Sequence, residues 1–160
     1  MIKKNIDSEI VFHLLQVADE LRRNGDFITQ KAGITTQQWL IMLHLAKDPN
    51  IFYLQKNDSS QQMLAKELAE SFNISRAGIT NIINVLMEKG LMIREEDAVD
   101  KRRKRLTLTP KGMEVLEKLE PLRIQANTHL LKEITAEEKT VLRKFLKSSL
   151  YLLNIHFRKQ

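Results

Sequence analysis

The feature that most restricts the fold is a pair of short helices joined by almost no chain. The first is predicted by an apolar stripe at four-residue spacing with small side chains beside it: Leu64, Leu68, Phe72, Ala65 and Ala69. Asn73 suits the left-handed residue that ends a helix, and Ser75 suits the residue that caps the next one. Only Ile74 lies between them. So tight a connection predicts a helix-turn-helix.

The second helix of this motif has an apolar face and a polar face. The apolar face carries Ile79, Ile82, Ile83 and Leu86, and Gly90 ends the helix. The opposite face carries Arg76, Ala77, Thr80, Asn81 and Asn84. Arginine pairs with guanine, asparagine pairs with adenine and the threonine methyl packs on thymine, so this face suits the base edges of DNA. An ordinary solvated helix face is the alternative, and the helix alone does not decide between the two.

A β-hairpin is predicted directly after this helix, with strands over 91–95 and 103–108 and with Leu106 and Leu108 alternating inward. The loop between the strands contains Asp97 and Asp100. Five consecutive basic residues run into the second strand: Lys101, Arg102, Arg103, Lys104 and Arg105. A charge run is usually a solvated or disordered segment. Here the hairpin pins it beside the polar helix face, which favours contact with phosphates or a minor groove.

Capping residues place two helices in the N-terminal part of the chain. The first begins near Asp7 or Ser8, since either can accept a bond from free backbone N–H groups. The second runs over 36–47, because Thr35 and Gln38 have the form of a capping box. Residue types that interrupt or end helices follow each of them: Asn24 and Gly25 after the first, then Asp48, Pro49 and Asn50 after the second.

The connection to the helix-turn-helix begins with the apolar run 51–54, which is predicted as a short strand or a buried loop. Ser59 or Ser60 is then expected to cap the third helix. Two further helices are marked at their starts: one by Thr109 and Pro110, the other by Thr135 and Glu138. Pro121 is expected to kink or split the earlier of these two, because proline cannot donate a backbone bond.

The composition agrees with a mainly α chain that folds as one unit. Of its 160 residues, 42% are hydrophobic, enough to bury a core, and five are glycine and three proline. The absence of cysteine excludes disulfides, thiolate metal sites and cysteine nucleophiles. The net charge is +6, and residues 75–112 hold nine basic and five acidic side chains, so most of the excess lies there. An acidic partner for this segment is therefore plausible.

Signals for catalysis and metal binding are weak. No two of the four histidines have the i, i+4 spacing of a helical metal site: His13, His44, His129 and His156. Isolated histidines at partly buried positions are the favoured interpretation. Trp39 and the Phe52, Tyr53 pair could line a ligand pocket, but core packing is the more usual role. The chain has no phosphate loop and no Gly-x-Ser-x-Gly motif, so we expect neither an enzyme nor a bound cofactor or metal.

The segment 64–112 resembles the MarR family of bacterial transcriptional regulators. Leu64 and Ala65 open the first helix of the motif as in that family. The end of the recognition helix and the first wing strand are similar in Leu86, Glu88, Lys89, Gly90, Leu91 and Arg94. The wing signature matches in Asp100, Arg102, Leu108, Thr109, Lys111 and Gly112. A weaker similarity extends to 35–45 and 135–146, whereas the connection over 47–61 is longer than is usual for the family.

The fold class that we expect is mainly α with a small β-hairpin wing, a winged helix-turn-helix plus a helical dimerisation region. One domain covers 1–160, with dimerisation helices in 1–34 and 113–160 and the DNA-binding lobe in 35–112. The resemblance implies a recognition helix in the major groove, a wing arginine in the minor groove, and a small-molecule pocket between the dimer helices and the lobe. Apolar stripes in 8–22 and 137–157 exceed what one lobe could cover, which also indicates a homodimer.

We therefore expect a cytoplasmic homodimeric repressor that binds a double-stranded DNA operator in a sequence-specific manner, with release by a small-molecule effector left open. No apolar stretch reaches signal-peptide or membrane-spanning length. The expected DNA contacts, with Asp100 orienting the wing, are Ser75, Arg76, Ala77, Thr80, Asn81, Asn84, Lys101, Arg102, Arg103 and Arg105. A winged-helix adaptor that binds proteins but no DNA is the main alternative, and an enzyme with an unrecognised site is more distant. Steep salt dependence of binding would favour DNA over the adaptor.

Overall fold

The computed structural model describes residues 3–51, 63–97 and 100–158. Its elements are α1 (Ile6–Thr29), a one-turn 3-10 helix (Gln30–Ala32), α2 (Thr36–Leu45), β1 (Met63–Leu64), α3 (Ala65–Phe72), α4 (Arg76–Glu88), β2 (Met92–Glu96), β3 (Lys104–Leu108), α5 (Pro110–Leu130) and α6 (Ala136–Arg158). The strands form one antiparallel sheet in the order β1-β3-β2. A mainly α fold with a hairpin wing is thereby confirmed. No helix in the described ranges is long and apolar enough to cross a membrane.

The first helix is longer than the sequence suggests. It is capped by Asn5, whose side chain accepts from the backbone of Ser8, and it continues through Asn24 and Gly25 to Thr29. The helix thus begins one to two residues before Asp7 or Ser8, near which its start was predicted, and the predicted interruption at residues 24–25 was wrong. A tertiary contact explains this error: a Cβ on Gly25 would lie 2.4 Å from Thr36 Oγ1, so glycine is the residue that lets α2 begin against α1. Close packing here outweighs the poor helix propensity of glycine.

The second helix begins as predicted and ends early. The capping box of Thr35 and Gln38 is confirmed. The helix stops at Leu45 instead of continuing to Lys47, because Lys47 takes a left-handed conformation (φ 55°) and the Asp48 N–H bonds back to the Leu43 carbonyl. The predictions for 52–54 lie outside the described residues.

The helix-turn-helix has the predicted turn but a later start. Leu64 belongs to β1, which pairs with β3, and α3 begins only at Ala65 with Leu64 as its N-cap residue, so the prediction that Ser59 or Ser60 caps this helix was wrong. Asn73 is left-handed (φ 50°) and the Ile74 N–H bonds the Ala69 carbonyl, which closes α3. The Ser75 side chain then accepts from the Gly78 N–H and caps α4.

The hydrophobic core lies between α2, α3, α4, the sheet and the first half of α5. Its largest fully buried side chains are Ile41, Met42, Leu68, Ile79, Ile83, Leu86, Met92 and Leu106. Trp39 is buried among them, so the core role that the sequence favoured for this residue is confirmed. The predicted apolar face of α4 is buried apart from Ile82, which is half-buried.

The fifth and sixth helices extend away from this core. Thr109 caps α5, with Pro110 in its first turn, and the helix continues through Pro121 to Leu130, so the predicted splitting at Pro121 does not occur. The capping box of Thr135 and Glu138 at the start of α6 is confirmed. Within the described ranges, α6 contacts the other elements only sparsely. Its apolar side chains therefore have little of this chain to pack against.

The wing is a hairpin of β2 and β3, with register pairs from Met92 with Leu108 to Glu96 with Lys104. Leu106 is buried and Leu108 is half-buried, so the predicted inward alternation is confirmed. The strands lie within a residue of their predicted bounds. The hairpin thus presents one face to the core and carries its connecting turn away from it.

A buried carboxylate holds the base of this turn. The Asp97 side chain is 3% exposed and pairs through Oδ2 with Nε of Arg105, whose side chain is 18% exposed. Its other oxygen accepts from the Asp100 N–H at 2.8 Å, and its backbone N–H donates to the Arg103 carbonyl at 3.1 Å. One carboxylate therefore ties the end of β2, the turn and β3 together.

Replacing Asp97 with Asn should loosen the wing, because the amide keeps the shape of the side chain but removes the charge that pairs with Arg105. We expect a loss of about 1–3 kcal/mol in the free energy of unfolding, measured by chemical denaturation. The control is Asp100→Asn, which alters an exposed carboxylate and should change stability by less than about 0.5 kcal/mol. Equal losses in the two variants would show that Asp97 does not support the turn.

Candidate nucleic-acid interface

The polar face of α4 is open to solvent along its length. Its five members are all exposed: Arg76, Ala77, Thr80, Asn81 and Asn84. The face cannot rotate inward, because Ile79, Ile83 and Leu86 on the opposite side are buried. The Thr80 hydroxyl donates to the Arg76 carbonyl at 2.7 Å. The methyl group of Thr80 therefore remains available for contact with a partner.

The start of α4 borders an open groove of about 530 Å³, lined by Lys66, Ala69, Glu70, Asn73, Ile74, Ser75 and Arg76. Ser75 is exposed, and its oxygen is engaged in capping the helix while its hydroxyl hydrogen can still be donated. The free N–H groups of a helix N-terminus favour anions. A phosphate group of a nucleic acid is such an anion.

The tip of the wing carries three exposed cations, Lys101, Arg102 and Arg103. The Asp100 carboxylate accepts from the Arg102 N–H at 3.1 Å and lies 3.4 Å from Arg103 Nε. In the described part of the chain, the Arg102 side chain makes no hydrogen bond or ion pair. In an extended strand, the side chains of Asp100 and Arg102 would lie on the same face. The tip is a turn instead. Asp100 acts on Arg102 through its backbone instead.

The two remaining cations of the basic run are paired within the hairpin. Lys104 bonds the Glu96 carboxylate at 2.7 Å across the strands, and this bond lowers the pKa of Glu96. Arg105 pairs with the buried Asp97 and is largely covered. Arg105 was predicted to contact DNA. In the folded hairpin its side chain instead lies within the wing, away from the tip.

Two lysines for which the sequence predicts no structural contact, Lys89 and Lys111, hold the C-terminal end of α4. The Lys89 ammonium donates to the Gly33 carbonyl, in the turn that precedes α2. The Lys111 ammonium donates to the Lys89 carbonyl at 2.7 Å, and the Thr109 hydroxyl donates to the Gly90 carbonyl at 2.7 Å. The carbonyls of the two residues that directly follow the helix are thereby bonded by α5 and its N-cap residue. These contacts join residues distant in sequence, so no local pattern predicts them.

A second groove, of about 490 Å³, lies where α1 meets α2 and the end of α3; its lining residues are Arg22, Asp26, Thr35, Thr36, Gln37, Leu40 and Phe72. The Thr36 N–H donates to Asp26 Oδ1 at 2.8 Å, and this bond lowers the pKa of Asp26. This is the region in which the resemblance implied a small-molecule pocket. Phe52 and Tyr53, the other pocket residues considered, lie outside the described residues.

The histidines are not equivalent. His44 is 5% exposed and meets the Phe72 ring edge-on at 5.2 Å, and burial lowers its pKa. His13 and His129 are exposed, so the expectation of partly buried positions was wrong for these two. The side chain of His156 is outside the described residues.

The outer faces of α1 and α6 carry large apolar side chains in contact with solvent. On α1 they are Ile6, Ile10, Val11, Phe12, Leu15, Val17, Leu21 and Phe27. On α6 they are Val141, Phe145, Leu146, Leu150, Tyr151, Leu152 and Leu153. Exposed apolar surface on this scale is typical of a protein interface.

Known proteins with the same combination of features are found by sequence and by structure. Residues 32–103 match the MarR family. The transcriptional activatory protein BadR of Rhodopseudomonas palustris is 27% identical over 124 residues, which is 78% of this chain and 66% of BadR. The chain thus spans about two thirds of the length of this relative.

Solved structures share the fold at low sequence identity. A MarR protein from Peptoclostridium difficile has a TM-score of 0.78 and 23% identity, with all of this chain and 97% of that one covered. The Staphylococcus aureus MepR–DNA complex has a TM-score of 0.73 and 20% identity, with 89% and 95% covered. The winged-helix architecture is therefore common to all three. The segment 32–103 thus carries the sequence pattern of the MarR family, and the whole chain shares the fold of these MarR-type structures.

Proposed function

We propose that the protein is a homodimeric transcriptional regulator that binds double-stranded DNA, with α4 in the major groove and the wing against the minor groove. The observation that carries the proposal is a polar helix face that cannot turn inward, placed beside a hairpin with three cations at its tip. The MepR–DNA complex, which has the same fold, supports this role.

The side chains divide into three roles. Arg76, Asn81 and Asn84 can form the paired hydrogen bonds that distinguish bases, and Ala77 and Thr80 offer methyl groups for thymine. Ser75 donates to a phosphate at the start of α4. Lys101, Arg102 and Arg103 enter the field of the minor groove, whose negative potential is strongest where it is narrow. Asp100 orients this tip, and we assign Arg105, with Asp97, to the support of the wing instead of to DNA contact.

Dimerisation would cover the apolar faces of α1 and α6. These helices belong to the N- and C-terminal segments, and α6 has little of its own chain to pack against. A two-fold dimer would present two copies of α4 to successive major grooves. We therefore propose 1–34 and 113–160 as the dimerisation region and 35–112 as the DNA-binding lobe.

For regulation, we propose repression that is relieved when a small molecule occupies the groove between α1 and α2. The groove lies between the dimerisation region and the lobe, so an occupant would contact both. BadR is described as an activatory protein, so the sign of the effect needs its own measurement. A reporter gene behind the selected operator measures it, and transcription that rises with added protein would replace repression with activation.

The dimer should appear in light scattering as a species of twice the 18.7 kDa chain mass at micromolar concentration. Leu150→Glu puts an uncompensated charge on the apolar face of α6 and should raise the dimer dissociation constant by about tenfold or more. Thr140→Glu adds the same charge at an exposed position on the polar side of α6 and serves as the control. A wild-type protein that stays monomeric would contradict the dimer.

The recognition face is tested on the DNA that the wild-type protein selects from genomic fragments at moderate salt. Asn81→Ala and Arg76→Ala should each weaken binding to the selected site by about 1–3 kcal/mol and relax the choice of base. Binding to random DNA should change much less. An equal loss on specific and random DNA would show that these side chains contact only phosphate. Wild-type binding to proteins but to no DNA would favour the adaptor.

The wing is tested by salt titration on one fixed operator. Arg102→Ala should weaken binding to specific and random DNA alike and reduce the slope of log affinity against log salt by about 1 per subunit. Asp100→Ala removes a negative charge near DNA, so Coulomb's law alone expects tighter binding. Because Asp100 holds the Arg102 backbone, we expect weaker binding instead. Lys118→Ala, on the exposed side of α5, is the control. An unchanged affinity and slope for Arg102→Ala would remove the wing from the interface.

A further inference from the structure

A partly buried ion network joins the end of α2 to α5. Arg123 Nη1 lies 2.9 Å from Asp48 Oδ2, and Arg123 Nη2 lies 2.7 Å from the Glu120 carboxylate. The side chains of Arg123 and Asp48 are 15% and 9% exposed. The guanidinium is a rigid planar fork, so binding two carboxylates at once defines its orientation as well as its position.

Asp48 is held on the lobe by the turn that ends α2. Its Oδ1 accepts from the backbone N–H of Asn50 at 2.8 Å and from its side-chain amide at 2.9 Å. Burial alone would raise the pKa of Asp48, but the bonds from Asn50 and the charge of Arg123 outweigh it and keep the pKa below its ordinary value. Asp48 is therefore a fixed negative charge at neutral pH.

Arg123 stands at the point where α5 leaves the lobe. Leu116 and Leu119 are buried in the core and Leu122 packs against it, whereas all seven residues over 124–130 are exposed. Pro121 lies two residues before Arg123 and lacks the N–H that would bond the carbonyl four residues earlier. The network therefore connects the end of α2 to α5. It does so next to Pro121, where α5 lacks one of its backbone hydrogen bonds.

We infer that Asp48, Arg123 and Glu120 fix the angle at which the lobe sits on α5, and with it the distance between the two recognition helices of the dimer. The apolar contacts of α5 are non-directional, whereas the forked contact fixes direction. Two half-sites lie about 34 Å apart in DNA read by a dimer, so a loosely held lobe accepts several spacings. This inference rests on the proposed dimeric DNA-binding function, and it makes the three residues positioning residues for operator spacing.

The first test is selection from a DNA library in which two copies of the half-site are separated by spacers of varied length. Arg123→Lys keeps the charge but cannot bridge two carboxylates as a fork, and Asp48→Asn keeps the bonds from Asn50 but loses the ion pair. The wild-type protein should prefer one spacing, and in both variants that preference should fall by about three- to tenfold. Affinity for a single half-site should not change. Arg23→Lys, in the exposed pair with Glu20, is the matched control.

The second test needs no DNA. The chain has no cysteine, so Glu88→Cys at the end of α4 carries one spin label per subunit. The distance distribution between the labels of a dimer should be narrow in the wild-type background and in Arg23→Lys, and broad in Arg123→Lys and Asp48→Asn. Equal widths together with an unchanged spacing preference would overturn the inference while leaving DNA binding intact. A monomer, which gives no distance between labels, would overturn the proposed dimer and this inference together.

Discussion

The rest of the structure depends on the burial of one side of α4. Ile79, Ile83 and Leu86 are almost wholly covered, and each such side chain stabilises the fold by about 1.5–3 kcal/mol relative to exposure. Because side chains repeat every 3.6 residues on a helix, fixing this stripe also fixes the opposite face. The left-handed Asn73 and the Ser75 cap set where the helix begins. The packing of α4 against the core thus determines which polar side chains of this helix are exposed to solvent.

The starts of α2, α4, α5 and α6 were the most predictable part of the fold. Thr35, Ser75, Thr109 and Thr135 each cap a helix through a backbone N–H three residues away, so the signal and its effect lie in the same stretch of sequence. The errors have distant causes. Whether Gly25 ends α1 depends on Thr36, and whether Leu64 is helix or strand depends on Arg105 in β3. A local pattern contains no information about either partner.

The same distinction separates the parts of the candidate site. The exposed face of α4 could be predicted from spacing alone, because helical period and apolar pattern agree. The basic run could not be sorted in that way, since five adjacent cations look alike in sequence. In the folded hairpin Arg103 faces Asp100, Lys104 faces Glu96 and Arg105 reaches the buried Asp97. Strand register and burial, and not charge, distinguish the residues at the tip from those that support it.

The two lysine contacts at the end of α4 also affect the thermodynamics of recognition. Lys89 bonds to Gly33, and Lys111 bonds to the residue that ends α4, so the helix is held at its C-terminal end as well as at its capped N-terminal end. A helix already ordered at both ends loses little backbone entropy when a ligand docks on it. The entropy that is still lost on binding comes from immobilising long exposed side chains such as Arg76 and Arg102, at about 0.5–1.5 kcal/mol each. The unfavourable entropy of docking on this helix is thereby confined to side-chain rotamers, which makes the interface preorganised in its backbone and adaptable at its tips.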